Sequence, residues 1–281
     1  MNTKVDAEVV SLGSLNVDHT ARLGSSELDE IDDEIPEFPS TGETKKFDEW
    51  EPPERLHELS YETSLGGKGA NQSVASARAG SVTAFLGMVG SDDGDEALSK
   101  LSDRGVVTEG VEKVDAETGK AYVFVDETGE NRIVVVGGAN GRLDEDYVES
   151  CYETVRDAEY LMLQNEIPTE TTHYLLSRLD EDPDRPTVVF DPAPPEGTAE
   201  LLQHPSVDIT TPNEHELEII RESHEEVPAT VIKTLGGEGA AVVGDGDFPA
   251  PDVETVDTTG AGDTFNGYLT SGLLRGMLTE K

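Results

Sequence analysis

The chain has 281 residues, 35 % apolar and 5 % aromatic, and its 60 acidic side chains against 20 basic ones give a formal net charge of −40. A surface so acidic repels nucleic acid and anionic membranes, which argues against both as partners. No apolar run approaches the ~20 residues of a membrane helix, so a cytoplasmic protein is expected, of one large α/β domain or two small ones.

The acidic excess is spread along patterned segments rather than gathered in a tail, as on the solvated surface of a halophile's protein. Cys151 is the one cysteine. It allows no internal disulfide, points to a reducing compartment and suits a small apolar helix position. Met1 to Asp6 lead straight into a strand without a hydrophobic signal region.

Residues 8–12 form a short buried strand ending in Gly13-Ser14. Asn16 and Asp18 follow at a spacing of two, which puts them on one side of an extended segment. Turn chemistry uses the same residue types, but a short acid such as Asp18 can also accept from both hydroxyls of a vicinal diol. The stretch 25–62 is acidic and Pro-bearing, and within it residues 29–37 are expected to be mostly a solvated loop. Leu65-Gly66-Gly67-Lys68-Gly69-Ala70-Asn71-Gln72 then opens a small-residue helix over 73–79, carrying a cation and an amide into a glycine turn. It is not the Gly-x4-Gly-Lys-Ser/Thr phosphate loop, because Glu62 stands at the first Gly and Gly69 at the Ser/Thr. No Gly-x-Gly-x-x-Gly occurs anywhere, so a dinucleotide fold has no fingerprint.

A strand over 82–87 and a helix over 96–104 come next, then a hairpin of 121–125 and 132–136 turning at Gly129. Strands at 160–163, 187–190, 207–210, 230–233 and 240–243 alternate with helical patterns, which predicts a parallel sheet covered on both faces, with ligands at the carboxyl ends. Glu166, Asn213 and Gly236 follow three of those strands. Asn213-x-x-Glu216 has the form of a capping box. Last, Gly260-Ala261-Gly262-Asp263 precedes a helix over 264–274 with apolar Phe265, Leu269 and Leu273. Bare backbone N–H groups at a helix N-terminus suit an anion. Asp263 there either caps the helix, contributing about 1 kcal/mol, or takes the proton of a hydroxyl that attacks a bound phosphoryl group. The stretch alone leaves both open.

Together, Gly66-Gly67-Lys68-Gly69-Ala70-Asn71-Gln72 and Asp257-Thr258-Thr259-Gly260-Ala261-Gly262-Asp263 resemble the two signatures of the ribokinase-like (PfkB) family of sugar and nucleoside kinases. Gly13-Ser14-Leu15-Asn16-Val17-Asp18, Gln164-Asn165-Glu166, Asp191-Pro192-Ala193-Pro194, Thr211-Pro212-Asn213-Glu214-His215-Glu216 and Thr234-Leu235-Gly236-Gly237-Glu238-Gly239 match its landmarks in order, so the resemblance spans nearly the whole chain. It implies a three-layer α/β/α fold as one domain over 1–281, with a mostly parallel central sheet and a small β-sheet lid from about 14–63 and 118–137. It also implies in-line transfer of the γ-phosphoryl of ATP to a sugar's primary hydroxyl. Lys68 and Gln72 are most like the ribokinase branch, which makes D-ribose 5-phosphate from D-ribose. Other acceptors in the family are a nucleoside, ribose 1-phosphate, fructose and fructose phosphate, and Phe38, Phe47, Trp50 and Tyr61 offer rings for a base. A sugar-binding homologue with impaired catalysis is a rival of another class.

By the same resemblance Asn16, Asp18, Gly67, Lys68, Gly69, Asn71 and Glu166 hold the sugar. Asp263 is the general base, and the N–H groups of Gly260, Ala261 and Gly262 stabilise developing charge. Asn213, Thr234, Gly236, Gly237, Gly239 and Gly262 meet ATP, Glu216 serves Mg²⁺ through water, and Asp257 and Thr259 are part of a K⁺ site. His215 is a bystander. Family members pair across the lid as dimers. The stretch between Glu216 and Thr234 is short for the family, and the sequence ends at Lys281, before the helical segments that complete the adenine pocket and the K⁺ site. Weak ATP affinity and reduced stability, both restored by a downstream segment, are therefore expected.

Overall fold

The computed structural model describes residues 4–35, 38–47, 50, 52–253 and 258–277. In the first half the elements run β1 (Val9–Leu12), β2 (Asn16–Arg22), α1 (Ser25–Glu34), β3 (Thr44–Phe47), α2 (Glu54–His57), β4 (Glu62–Gly66) and α3 (Lys68–Arg78). They continue through β5 (Thr83–Leu86), β6 (Met88–Val89), α4 (Gly94–Ser102), β7 (Glu112–Lys113), β8 (Gly119–Val125) and β9 (Asn131–Val136). The second half holds α5 (Glu145–Asp157), β10 (Tyr160–Gln164), α6 (Thr169–Asp180), β11 (Thr187–Asp191), α7 (Thr198–Leu201), β12 (Ile209–Thr210), α8 (Glu214–Ser223), β13 (Thr230–Thr234), β14 (Gly239–Val242), β15 (Gly246–Pro249) and α9 (Ala261–Leu274).

Among the described residues eight strands form one sheet in the order β15-β14-β13-β12-β11-β10-β1-β5. From β5 to β13 it is parallel, with Val9 paired to both Tyr160 and Thr83. Its central strands are apolar on both faces because both are covered. Val10, Leu12, Leu161, Leu163, Val188 and Phe190 pack against α5 to α8, whereas Leu15, Ala70, Val74 and Phe85 form a core on the side of α3 and α4. Cys151 is buried in α5, and burial pushes its thiol up to about 12, so it behaves as the small apolar residue expected.

Two expectations are corrected. The stretch over 240–243 does not extend the parallel sheet: β13, β14 and β15 are antiparallel, turning at Gly236, whose φ is +57°, and at Gly244, whose φ is +88°. A two-strand reversal of this kind needs no crossover helix. Residues 29–37 are not mostly a loop, since α1 covers them to Glu34. Leu28, Ile31 and Ile35 fall at i, i+3 and i+7, and they are 2 %, 0 % and 7 % exposed against Phe38, Leu56, Phe124 and Val134. That apolar stripe is enough to dock a helix whose other positions are largely acidic.

The second sheet, β3-β9-β8-β2-β4, draws its strands from residues 16–22, 44–47, 62–66, 119–125 and 131–136, and includes the β8–β9 hairpin the sequence predicts. It stands at the carboxyl end of β1, joined to it by the short link Gly13-Ser14-Leu15. Where α9 crosses α3, a Cβ on Gly267 would lie 2.5 Å from Ala75 Cβ, 2.6 Å from Ser76 N and 2.7 Å from Gln72 O. In an exposed helix Gly→Ala would gain about 1 kcal/mol, but two of these contacts are backbone and cannot give way. Gly267→Ala is therefore expected to lower stability by roughly 1–3 kcal/mol, the usual range for overpacking. A thermal melt of the variant that matched or exceeded the parent would show that the helices do not cross so closely.

Candidate active site

Both glycine turns open helices, and the helices lie side by side. α3 starts at Lys68 after Gly67, whose φ is +86° and where any Cβ would fall 2.8 Å from Ser14 O, Leu15 Cα and Asn16 N. α9 starts at Ala261 after Gly260, whose φ is +70°. Asp263 is thus the third helical residue and not the cap, which removes the capping role left open by the sequence. Added side-chain atoms on Gly260 or Gly262 would meet nothing within 4 Å, so this helix start faces open space. The Ala261 N–H already donates to Thr258 O at 3.0 Å.

Asp263 is 6 % exposed and tied from α3 on both oxygens. Asn71 Nδ2 donates to Oδ2 at 3.0 Å, Gln72 Nε2 donates to Oδ1 at 3.3 Å, and Lys68 Nζ stands 3.6 Å from Oδ1. A second buried carboxylate shares these donors: Asp191 Oδ2, at the end of β11, accepts from Gln72 Nε2 at 2.8 Å and from Lys68 Nζ at 3.4 Å. Burial raises the Asp191 carboxyl to about 6, a rise that Lys68 opposes and the charges of Asp263 and Glu216 reinforce. For Lys68, burial alone would lower the ammonium; Asp191, Asp263, Glu166 and Glu216 outweigh it and hold the group above its ordinary value.

Around the start of α3, Glu166 Oε2 accepts from Ser14 Oγ at 2.5 Å and from the Lys68 N–H at 2.9 Å, so the loop after β10 is pinned to both β1 and α3. Asn16 Oδ1 accepts from Asn140 Nδ2 at 2.8 Å, and Asn140 also bonds the backbone of Leu15 in both directions. Asp18 lies over Gly66, where a Cβ would come 2.1 Å from Oδ2. Burial, then the charge of Glu166, pushes the Asp18 carboxyl up to about 7. Gly69 packs its Cα against Gly13, with no room for a side chain. Between the two sheets is a cleft of about 450 Å³ whose lining includes Ser14, Asn16, Lys46, Phe47, Asn140 and Glu166.

Lys68, Asn71, Glu166 and Asp263 are therefore linked at one place, and Asn16 lines the same cleft as Glu166, with Asp18 close enough to feel Glu166. Sequence reasoning missed Asn140, Asp191 as a site carboxylate, and Lys46. Asn140 follows Gly137-Gly138-Ala139, with φ of +52° at Gly138, and a glycine pair before an amide is the one local signal it carries. Of the four rings considered for a base, Phe47 lines the cleft. Phe38 is buried against Phe124, while Trp50 and Tyr61 turn their edges to Tyr122.

Toward the other sheet edge, Asn213 caps α8 and forms the full capping box with Glu216: Oδ1 accepts from the Glu216 N–H at 2.9 Å, and Glu216 Oε2 from the Asn213 N–H at 2.8 Å. Asn213 bridges to Thr234, and exposed Gly236 and Gly237 form the turn into β14. Gly239, with φ of +111°, would put a Cβ 2.1 Å from Phe248 O. His215 is exposed. Of the pair expected at a K⁺ site, Thr259 is exposed near the start of α9 and Asp257 lies outside the described residues. Among the described residues no three acidic, His or Cys side chains gather as a metal cage. One half-buried carboxylate, Glu216, whose charge reaches Lys68 and Asp191, fits a Mg²⁺ that keeps water and phosphate oxygens as its other ligands.

Comparison with known proteins gives the family and the fold. Residues 38–281 match the model of the pfkB family of carbohydrate kinases. A ribokinase of Bacillus subtilis is 37 % identical over 235 residues, 79 % of this chain and 78 % of the relative. The crystal structure of a Thermotoga maritima ribokinase superposes with a TM-score of 0.75 at 31 % identity, covering 96 % of this chain and 87 % of the other. An Arabidopsis thaliana ribokinase solved with ribose and ATP gives a TM-score of 0.71 at 27 % identity, covering 97 % and 87 %. Among the described residues no helix is long and apolar enough to cross a membrane.

Proposed function

This chain belongs to the pfkB family of carbohydrate kinases, and we propose that within it the chain transfers the γ-phosphoryl group of ATP to the primary hydroxyl of ribose. The observation that carries the reading is the position of Asp263: a carboxylate in the first turn of a glycine-opened helix, 3.0 Å from Asn71 and in reach of the ammonium of Lys68, whose backbone N–H donates to Glu166 in the lining of the cleft. Asp263 takes the proton of the attacking hydroxyl as the bond to phosphorus forms. The open start of α9 offers the N–H groups of Gly260 and Gly262 to the charge that develops on the transferred group, and that of Ala261 once it leaves Thr258 O. Asn16, Asp18, Gly67, Lys68, Gly69, Asn71 and Glu166 orient the sugar. Asn213, Thr234, Gly236, Gly237 and Gly239 border the nucleotide. Mg²⁺, when bound near Glu216, neutralises phosphate charge, and Asp257 and Thr259 contribute to a K⁺ site. The five-stranded sheet closes the cleft against water, which would otherwise compete as acceptor.

A coupled assay of ADP release in high KCl, with ribose, deoxyribose, fructose, their phosphates and adenosine in parallel, tests this. Highest kcat/KM with ribose is expected, and absence of ribose-dependent turnover overturns the reading. A second expected result comes from Asp18. Its carboxyl titrates near 7 in the free protein, whereas hydroxyls of a bound sugar donate to it and favour the ionised form. Sugar binding then releases a proton, and affinity falls as pH drops below about 7, approaching tenfold per pH unit. Calorimetry at pH 8, 7 and 6 checks it. The slope vanishes in Asp18→Asn if the residue is responsible, and a flat wild-type profile contradicts it.

A further inference from the structure

Beneath the candidate base runs a chain of buried amides whose proton directions can be assigned from its two ends. At one end the Gly69 carbonyl is an acceptor only, and Ser11 Oγ donates to it at 2.9 Å. With its single proton used there, Ser11 Oγ must accept, and Gln164 Nε2 donates to it at 3.3 Å. The second Gln164 N–H goes to Gln72 Oε1 at 2.8 Å. Gln72 Nε2 is thereby turned the other way, toward Asp191 Oδ2 at 2.8 Å and Asp263 Oδ1 at 3.3 Å. Both carboxylates are acceptors, so the two ends of the chain demand the same polarity. Gln72 and Gln164 are each 1 % exposed, which removes water as a substitute partner.

One cost of this arrangement marks it. Gln164 Oε1 is buried and has no hydrogen-bond partner among the described residues; it sits against Gly13, where a Cβ would be only 2.0 Å away. Turning the amide over would give that oxygen to Gln72 and bring Gln72's own oxygen against two carboxylates. An unpaired acceptor is retained at Gly13, and a correctly directed donor at Asp263 is gained. The strands and helices involved are β1, β10, β11, α3 and α9, so the chain ties the sheet to both glycine-opened helices.

We propose that Gln72 is a positioning residue for Asp263, and that Gln164, which touches neither Asp263 nor the cleft, sets the direction of Gln72's amide. The proposal rests on the reading of Asp263 as the base. The other titratable groups facing the pair are Lys68 from α3, Glu166 from the loop after β10, Asp191 from β11 and Glu216 from α8. Asp191 is the register partner of Gln164 across β10 and β11, but the Gln164 side chain bonds Ser11 and Gln72 and none of these four groups.

Gln164→Glu tests it, because the two side chains have one shape and differ in what they donate. Ionised, the new carboxylate faces Gln72 Oε1 and forces that amide over; protonated, its one O–H restores the donation to Gln72 Oε1, though not the second one that Gln164 makes to Ser11 Oγ. The expected result at pH 8 is a kcat lowered by at least about tenfold, within the ~10²-fold that a misplaced catalytic group costs, with KM for ribose held within about twofold. The deficit relative to wild type narrows as pH falls to 6. Gln164→Met, which lacks the donor and any charge, is expected to lose kcat to a similar degree with no such pH trend, and it carries the test if the Glu variant does not fold. Wild-type kcat in either variant at pH 8, a rise in KM in place of a loss of kcat, or a Glu-variant deficit that ignores pH overturns the positioning role. Asp263→Asn is run alongside. If it is inactive while both Gln164 variants are fully active, the positioning proposal fails alone; if Asp263→Asn is fully active, the base assignment fails and the positioning proposal with it.

Discussion

Asp263→Asn is expected to lower kcat by roughly 10² to 10⁴, the range over which a positioned general base contributes, while the affinity for ribose changes little. The variant keeps the shape of the side chain, but an amide cannot accept a hydroxyl proton at neutral pH. Its stability should also fall, for a reason visible in the contacts. Asn71 Nδ2, Gln72 Nε2 and Lys68 Nζ all point donors at the two carboxylate oxygens, and an Asn must turn its own NH₂ toward one of them. Facing two donors together and leaving one unpaired costs about 1–3 kcal/mol. That is a few degrees in a thermal melt, far too little to account for a hundredfold loss of rate in a protein that remains folded. Single-turnover phosphorylation with saturating ATP and ribose, together with calorimetry of ribose binding, separates the two effects. Unchanged single-turnover rate sinks the assignment of the base, and a loss of ribose affinity matching the loss of rate would make Asp263 a sugar ligand instead.

Much of this arrangement is legible in the amino-acid sequence. The turns at Gly67 and Gly260 need positive φ or a bare Cα, and that demand is written in consecutive residues, so both helix starts stand out, with the amide, cation and acid they carry. The apolar runs of β10, β11 and β13 are equally local. What escaped was either masked or non-local. In α1 the stripe of Leu28, Ile31 and Ile35 is as regular as in any amphipathic helix, but it is interleaved with acids and follows a glycine without a capping side chain, so its charge drew attention from its period. The Gly244-Asp245-Gly246 run marks a hairpin, with its turn at Gly244-Asp245, yet the preceding rhythm of strand and helix suggested another parallel strand. Asp191 belongs to a recognisable Asp-Pro-Ala-Pro run, but its meeting with Lys68, Gln72 and Asp263 depends on β11 lying beneath the crossing of α3 and α9, which no short stretch encodes. Asn140 is of the same kind, bonded to residues 124 and 125 positions away.

Lys68→Met is expected to be the most destabilising single change in the site, and its effect should depend on pH in a defined direction. Lys68 Nζ lies 3.4 Å from Asp191 and 3.6 Å from Asp263, both nearly inaccessible to solvent. Taking one cation out of a buried cluster leaves the carboxylates uncompensated, a change that typically costs about 3–5 kcal/mol, because desolvation is no longer balanced. For a domain of this size the loss is on the order of 10 °C in Tm. The sign of the pH dependence follows from Asp191, whose carboxyl is already raised to about 6. A carboxyl with a folded-state pKa above its unfolded value binds more protons when folded, so stability declines as pH rises from about 4 through that pKa. Without Lys68 the Asp191 pKa moves higher still, since the lysine's is the charge that opposes the rise, and the decline extends to higher pH. The deficit relative to wild type is therefore largest at pH 8 and shrinks toward pH 5, where a protonated Asp191 no longer needs a cation. Lys68 itself titrates far above this window and adds nothing to the trend. Melts at pH 8, 6.5 and 5, at one KCl concentration high enough to screen the acidic surface, isolate the buried contribution. A Tm within about 2 °C of wild type at pH 8, or a deficit that stays constant down to pH 5, would mean that these carboxylates do not rely on Lys68.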